Sequence, residues 1–193
     1  MKIDSEDEVE LGLDCYDPEH RVFPKIADSR PRPKLSKHDL LLILKWKLGR
    51  IKDSNSETVA DDNMATINQA VEDAGNANSD IQALKALVSV PGIGLAAASA
   101  ILTVCYPEKF TIIDQRALET LDLFPSKLRE DERKEYKTDD WSPADYVQEY
   151  LPKVRDCSQR WRRSLRDADR ALWGLSVNQR VEAIIAKSEV RKA

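Results

Sequence analysis

The feature that most limits what this chain can become is a bend at Val90-Pro91-Gly92-Ile93-Gly94, set between two stretches of helical periodicity. Before it, Ile81, Leu84, Leu87 and Val88 recur at the spacing of one helix face; after it, Leu95, Ala98, Ile101, Leu102 and Cys105 do the same. Pro91 has no amide donor and ends the first helix, while Gly92 and Gly94 allow positive φ and a close approach of backbone or ligand. The second helix opens with Leu95-Ala96-Ala97-Ala98-Ser99-Ala100, whose small side chains let two helices cross tightly. The pattern predicts a helix-hairpin-helix over residues 80–105.

Composition agrees with a helical chain. Its 193 residues, 41% of them hydrophobic, support one compact domain with a real core. Only six Gly and nine Pro argue against a turn-rich β fold, and abundant Ala, Leu, Glu, Lys and Arg favour helices. The expected architecture is all-α with about eight helices. Residues 1–34 read as an acidic, Pro-containing arm, and residues 35–193 as a single helical domain. Three dispersed cysteines (Cys15, Cys105, Cys157) suggest neither a disulfide framework nor a metal site. No long apolar run or signal-peptide pattern occurs, so the expectation is a soluble, intracellular monomer, cytoplasmic and nucleoid-associated or nuclear, with no membrane partner.

Along the chain, Ser36 and Asp39 make a capping-box start for a helix near 37–49, apolar on most of its surface, with Trp46 toward the core. Residues 57–74 carry one helix or two short ones, Gly75 ends it, and Ser79 caps the next. Charged residues 125–140 form a short helix and a connection. Ser142-Pro143 starts a helix that Pro152 kinks or divides. Ser164 opens another, with Ala168, Ala171, Leu172 and Trp173 facing inward and Gly174 closing it; Val181 to Val190 is a final amphipathic helix.

The hairpin has a chemistry of its own. Amides at the turn and at the start of the second helix have no intrahelical acceptor and sit at the positive end of the helix dipole. Such a bend is a ready site for a phosphate, at Gly92, Ile93, Gly94 and Ala96, and would grip nucleic acid without reading its sequence; an ordinary Gly-capped turn between helices has the same glycine pattern. The formal charge of −4 at pH 7 is unfavourable for that partner until it is divided along the chain. Residues 1–20 hold eight acidic side chains and one Lys, whereas the remainder holds 29 basic and 26 acidic groups. Candidate basic contacts are Lys45, Lys47 and Arg50, and the run Arg160-Trp161-Arg162-Arg163, where charge and stacking occur together.

Beyond the hairpin, the apolar run Phe110-Thr111-Ile112-Ile113 leads to Asp114, and Gln115-Arg116-Ala117-Leu118-Glu119 restarts a helix. Asp is a favoured helix N-cap, and that role alone accounts for its position. With the hairpin, however, the region resembles the helix-hairpin-helix DNA glycosylase superfamily, which includes endonuclease III, the adenine glycosylases and the oxidised-guanine glycosylases. Bifunctional members of that family carry a Lys two residues after the second hairpin Gly and a catalytic Asp about eighteen residues beyond it. Here the first position is Ala96 and Asp114 stands eighteen residues on. The resemblance covers residues 80–123 and implies a monofunctional, water-using enzyme, because the amine that forms a Schiff base is missing. The family's Asp-x-His is Asp114-Gln115-Arg116 here, with Arg116 joining the phosphate-binding set.

The resemblance further implies that Asp114 is catalytic and that the partner is double-stranded DNA with a damaged or modified base. It implies no iron–sulfur cluster, since the four closely spaced cysteines are absent, and a monovalent cation (Na or K) on the carbonyls of Val88, Val90 and Ile93. Trp46, Trp141, Tyr146 and Trp173 are the candidate aromatics of a base pocket. Two other readings share the fold: a non-catalytic helix-hairpin-helix DNA-binding protein, and a protein-interaction domain.

Overall fold

A computed structural model describes residues 7, 13–15, 17–29, 33–50, 52–53, 55–76, 80–124 and 137–190. Most of the Ser5-Glu6-Asp7-Glu8 run, the Ser79 cap and the connection at 125–136 lie outside the described residues. Among the described residues every regular element is helical, and none is long and apolar enough to cross a membrane. The chain divides into two compact units, Met1–Pro107 and Glu108–Ala193.

In the first unit the helices are α1 (Pro18–Arg21), α2 (Phe23–Ala27), α3 (Lys37–Leu48), α4 (Asn55–Thr58), α5 (Asp61–Gly75), α6 (Asp80–Val88) and α7 (Leu95–Cys105). Helix α7 is the hub, because α2, α3, α5 and α6 all pack against it. Ten of its eleven residues are buried, and a helix apolar on every side has nowhere else to go. The Cys105 thiol lies deep in this core; burial, with the nearby Asp39 charge adding to it, pushes its pKa up to about 12.

Helix α3 starts at the expected capping box: Ser36 accepts from the Asp39 N–H, and Asp39 accepts from the Ser36 N–H. Leu40, Leu42, Ile43 and Leu44 are buried, whereas Leu48 is exposed. The segment read as 57–74 is two helices, α4 and α5, the second held by Tyr106, whose hydroxyl donates to the Val71 carbonyl at 2.9 Å.

The expected arm is more structured at its end than its prolines suggest. Pro18 and Pro24 stand at the first or second positions of α1 and α2, where a missing N–H breaks no bond. Phe23 and Ile26 are buried.

The second unit contains α8 (Gln115–Leu121), a 3-10 turn (Thr138–Asp140), a helical turn (Pro143–Asp145), a π-helical turn (Tyr146–Tyr150), α9 (Leu151–Trp161) and α10 (Leu165–Val190). Ser142 caps the turn at Pro143 through a capping box with Asp145. Pro152 stands where the helix changes type, at the place where the sequence expects a kink or a division. It falls at the start of α9, directly after the π turn, where the Leu151 N–H reaches back to the Tyr146 carbonyl. The widened turn absorbs the donor that proline lacks.

Gly174 does not close a helix: α10 runs through it to Val190, so the two helices expected there are one. Leu165, Ala168, Leu172 and Ser176 are buried along its inner face, while Trp173 is exposed and Ala171 likewise faces solvent, against expectation.

Candidate functional site

In the first unit the bend between α6 and α7 has the build of a helix-hairpin-helix. The Ile93 N–H donates to the Val90 carbonyl at 3.1 Å, closing the turn. Gly92 is the residue the turn cannot replace: its φ is +83°, and an added Cβ would lie 2.6 Å from Thr58 Oγ1. That hydroxyl donates to the Pro91 carbonyl at 2.8 Å, tying α4 to the bend. Gly94 has φ −86° and ψ 175°, extended backbone, and serves as the N-cap of α7 rather than as a second left-handed residue.

Gly92 and Gly94 are exposed, and Ala96 is half-buried one residue into α7. The amides at the start of α7 lie beyond the reach of intrahelical acceptors, the property a phosphate uses. Ile93 is 3% exposed and spends its N–H within the turn, so it is not among the outward amides. The carbonyls of Val88, Val90 and Ile93 are hard oxygen donors, the type a monovalent cation takes. Val90 keeps a second lone pair beyond its bond to Ile93.

In the second unit Asp114 is half-buried and caps α8: its side chain accepts from the Arg116 N–H at 3.0 Å. The capping role is therefore real, and it aims the carboxylate. The backbone on both sides of Asp114 is fixed by distant side chains. On the near side, the Tyr146 hydroxyl donates to the Thr111 carbonyl at 2.5 Å and accepts from the Thr111 N–H at 3.1 Å. Tyr150 donates to the Ile112 carbonyl at 2.7 Å. The π turn between these tyrosines sets their rings on one side, 5.8 Å apart.

On the far side, the Thr120 hydroxyl contacts the Leu172 carbonyl at 2.9 Å, and Arg180 donates to Glu119 at 2.8 Å. Arg116 places its guanidinium 5.3 Å from the centre of the Trp173 ring. Asp114 thus caps a helix tied to α10, with Arg116 on α8 close to the exposed Trp173 ring on α10.

The four candidate aromatics separate cleanly. Tyr146 is wholly buried and Trp141 is 3% exposed, so both belong to the core rather than to a pocket wall. Trp46 is half-buried in the first unit, edge-on to Phe23 at 5.2 Å. Only Trp173, at 47% exposure, presents a ring to solvent. Among the basic candidates, Lys45 and Lys47 are half-buried and Arg50 is exposed. Arg160 pairs with Asp156 at 2.9 Å. Arg162 takes a left-handed conformation (φ 53°) at the end of α9, and with Arg163 it is exposed between α9 and α10.

Sequence reasoning missed the Asp169–Arg166 pair. Asp169 is 3% exposed and is bound by Arg166. The signal was present, since Asp169 lies four residues after Leu165 and three before Leu172 on the apolar stripe of α10. Its charge reaches Tyr150. Burial first, then the carboxylates of Asp169 and Asp114, hold the Tyr150 hydroxyl well above the usual tyrosine range. A separate groove of about 490 Å³ in the first unit is lined by residues such as Lys34, Met64, Asn68 and Glu72, none of them a candidate. Comparison with family models, with curated proteins and with solved structures gives no significant match to this chain.

Proposed function

We propose that this chain is a monofunctional DNA glycosylase, hydrolysing the N-glycosidic bond of a damaged or modified base drawn out of duplex DNA. The observation that carries the reading is Asp114: a half-exposed carboxylate at the motif's spacing from the hairpin, on backbone held from both sides. A hairpin of the required build supports it, with Gly92 left-handed and α7 starting at Gly94.

In this reading the bend takes DNA phosphates at Gly92, Gly94 and Ala96, contacts that position the duplex without reading it. The target nucleotide leaves the stack, because its sugar carbon is inaccessible inside the helix. Asp114 stabilises positive charge developing on the deoxyribose as the base departs, as carboxylates do for oxocarbenium-like states. With Ala96 in place of an amine, water is the nucleophile. Exposed Trp173, stacked on Arg116, offers a surface for a base or for the adjoining backbone. A monovalent cation held by Val88, Val90 and Ile93 would supply positive charge at the phosphate-gripping bend.

The test is a panel of duplexes with oxidised, alkylated, mismatched or modified bases, incubated with the protein and then treated with alkali. Wild-type protein is expected to leave alkali-labile abasic sites in at least one duplex. Asp114→Asn is expected to lower the excision rate about a hundredfold or more while binding DNA as before. Borohydride should trap no covalent adduct. Binding without excision would leave a non-catalytic DNA-binding protein, and absence of binding at low salt would leave an interaction domain.

A further inference from the structure

The turn between α9 and α10, in the unit that carries Asp114, holds an arginine where the backbone favours glycine. Arg162 has φ 53°, in the left-handed region, where a side chain crowds the neighbouring carbonyl. Asp122 is the other described non-glycine residue with positive φ, but aspartate is a type that tolerates it, and arginine is not. The turn is closed without help from the Arg162 side chain. The Arg162 N–H donates to the Gln159 carbonyl at 3.2 Å, the Arg163 N–H to the Ser158 carbonyl at 3.1 Å, and the Ser158 hydroxyl to the Arg163 carbonyl at 2.7 Å. Glycine at 162 would make the same cap with less strain. A strained backbone kept with a side chain the fold does not use points to work done outside the fold.

Charge around the turn is unevenly spent. Arg160 pairs with Asp156, Arg166 with Asp169 and Arg170 with Asp167. Among the described residues, neither the Arg162 nor the Arg163 guanidinium has a hydrogen bond or an ion pair, although Arg163 helps to lower the Asp167 carboxyl after Ser164 and Arg170. Both side chains are exposed, and Trp161, the last residue of α9, is 38% exposed beside them. The backbone that carries these two cations is already fixed, so less order has to be gained when they meet an anion.

We infer that this turn is a second anchor for duplex DNA, with Arg162 and Arg163 each taking a backbone phosphate and Trp161 packing on an adjoining sugar. The choice of duplex as partner rests on the glycosylase reading above. A guanidinium meets phosphate through parallel hydrogen bonds that a lysine does not make. Phosphates recur along a duplex whatever its sequence, so a fixed pair of arginines finds partners in any register. Such contacts position the duplex and add affinity without base specificity.

The test uses full-length protein and measures duplex affinity across a salt series, with thermal midpoints alongside. Arg162→Gly relieves the backbone while removing the charge. It is expected to weaken binding about fivefold at low salt, equally for unrelated duplex sequences, and to make the slope of log affinity against log salt shallower by about one. Its thermal midpoint should equal or exceed that of wild type. Adding Arg163→Gln should take the loss of slope to about two. An unchanged affinity and slope in the double variant overturns the anchor, and excision by wild type then spares the glycosylase reading. A lower thermal midpoint in Arg162→Gly also overturns it, since the side chain would then support the fold. So does a loss of binding to an acidic peptide of residues 1–20 with duplex affinity intact, which would make the turn a peptide dock. Binding without excision by wild type removes the glycosylase reading alone, and the anchor is then decided by the salt slopes. Failure of wild type to bind any duplex at low salt overturns both.

Discussion

Asp114 caps α8, and the proposed reading gives the same carboxylate a catalytic role; substitution separates the two. Asparagine caps a helix about as well as aspartate, whereas alanine removes the acceptor that takes the Arg116 N–H. Asp114→Ala should therefore lose about 1 kcal/mol of stability in urea unfolding, and Asp114→Asn only a few tenths. Both variants are expected to be inactive, so the stability difference isolates the cap. Tyr150 gives a second residue-scale expectation. A tyrosine in the unfolded chain ionises at about 10, and burial raises the folded value well above that. The unfolded chain thus loses this proton first as the solution becomes alkaline. The stability that depends on the protonated hydroxyl is complete below the unfolded value and declines as pH rises through the interval up to the folded one. Tyr150→Phe should show a shallower alkaline decline in thermal midpoint, and a lower midpoint at neutral pH from the lost bond to Ile112. Asp114 was legible in the sequence because its signals are local: a spacing, an apolar approach and a helix start. The buried Asp169 was not, because its burial beside Arg166 exists only after packing.

At the level of the helix, the described serine caps read true, and of the two glycine stops Gly75 held and Gly174 did not. Ser36 and Ser142 each begin a helix where the sequence places one, and Ser164 accepts from the Asp167 N–H at the start of α10. These caps are short-range bonds that the sequence carries on its face. Gly174 was read as a stop, but a single glycine inside a helix costs only about 1 kcal/mol relative to alanine. Contacts on both sides outweigh that: Leu172 meets Thr120, and Ser176 and Arg180 reach Glu119. Nothing lies within 4 Å of a Cβ added at Gly174. Gly174→Ala should consequently stabilise the protein by about 0.5–1 kcal/mol in denaturant unfolding, with excision unchanged. Pro152 was read as a kink or a division, and the helix changes there from a π turn to α9. Its missing donor demands an adjustment, and the sequence does not say whether a break or a widened turn will supply it.

For the molecule as a whole, the all-helical class and the hairpin followed from periodicity, while the sorting of aromatics did not. Trp141, Tyr146 and Trp173 look alike in sequence, yet two are core and one is exposed. The distribution of charge was also legible, with residues 1–20 strongly acidic and the remainder slightly basic. Duplex binding should weaken as salt rises, and deleting residues 1–20 should tighten non-specific binding at low salt, an effect that vanishes at high salt; filter binding across a salt series checks both. The tethers around Asp114 also have a consequence for how the protein is made. Thr111 waits for a partner 35 residues later, Ile112 for one 38 later, Thr120 for one 52 later and Glu119 for one 61 later. Links across such sequence distances form late, since long loops must close before they gain anything. A polypeptide leaving the ribosome therefore carries Asp114 without its first tethers until Tyr146 and Tyr150 have emerged, and without the last until Arg180 has.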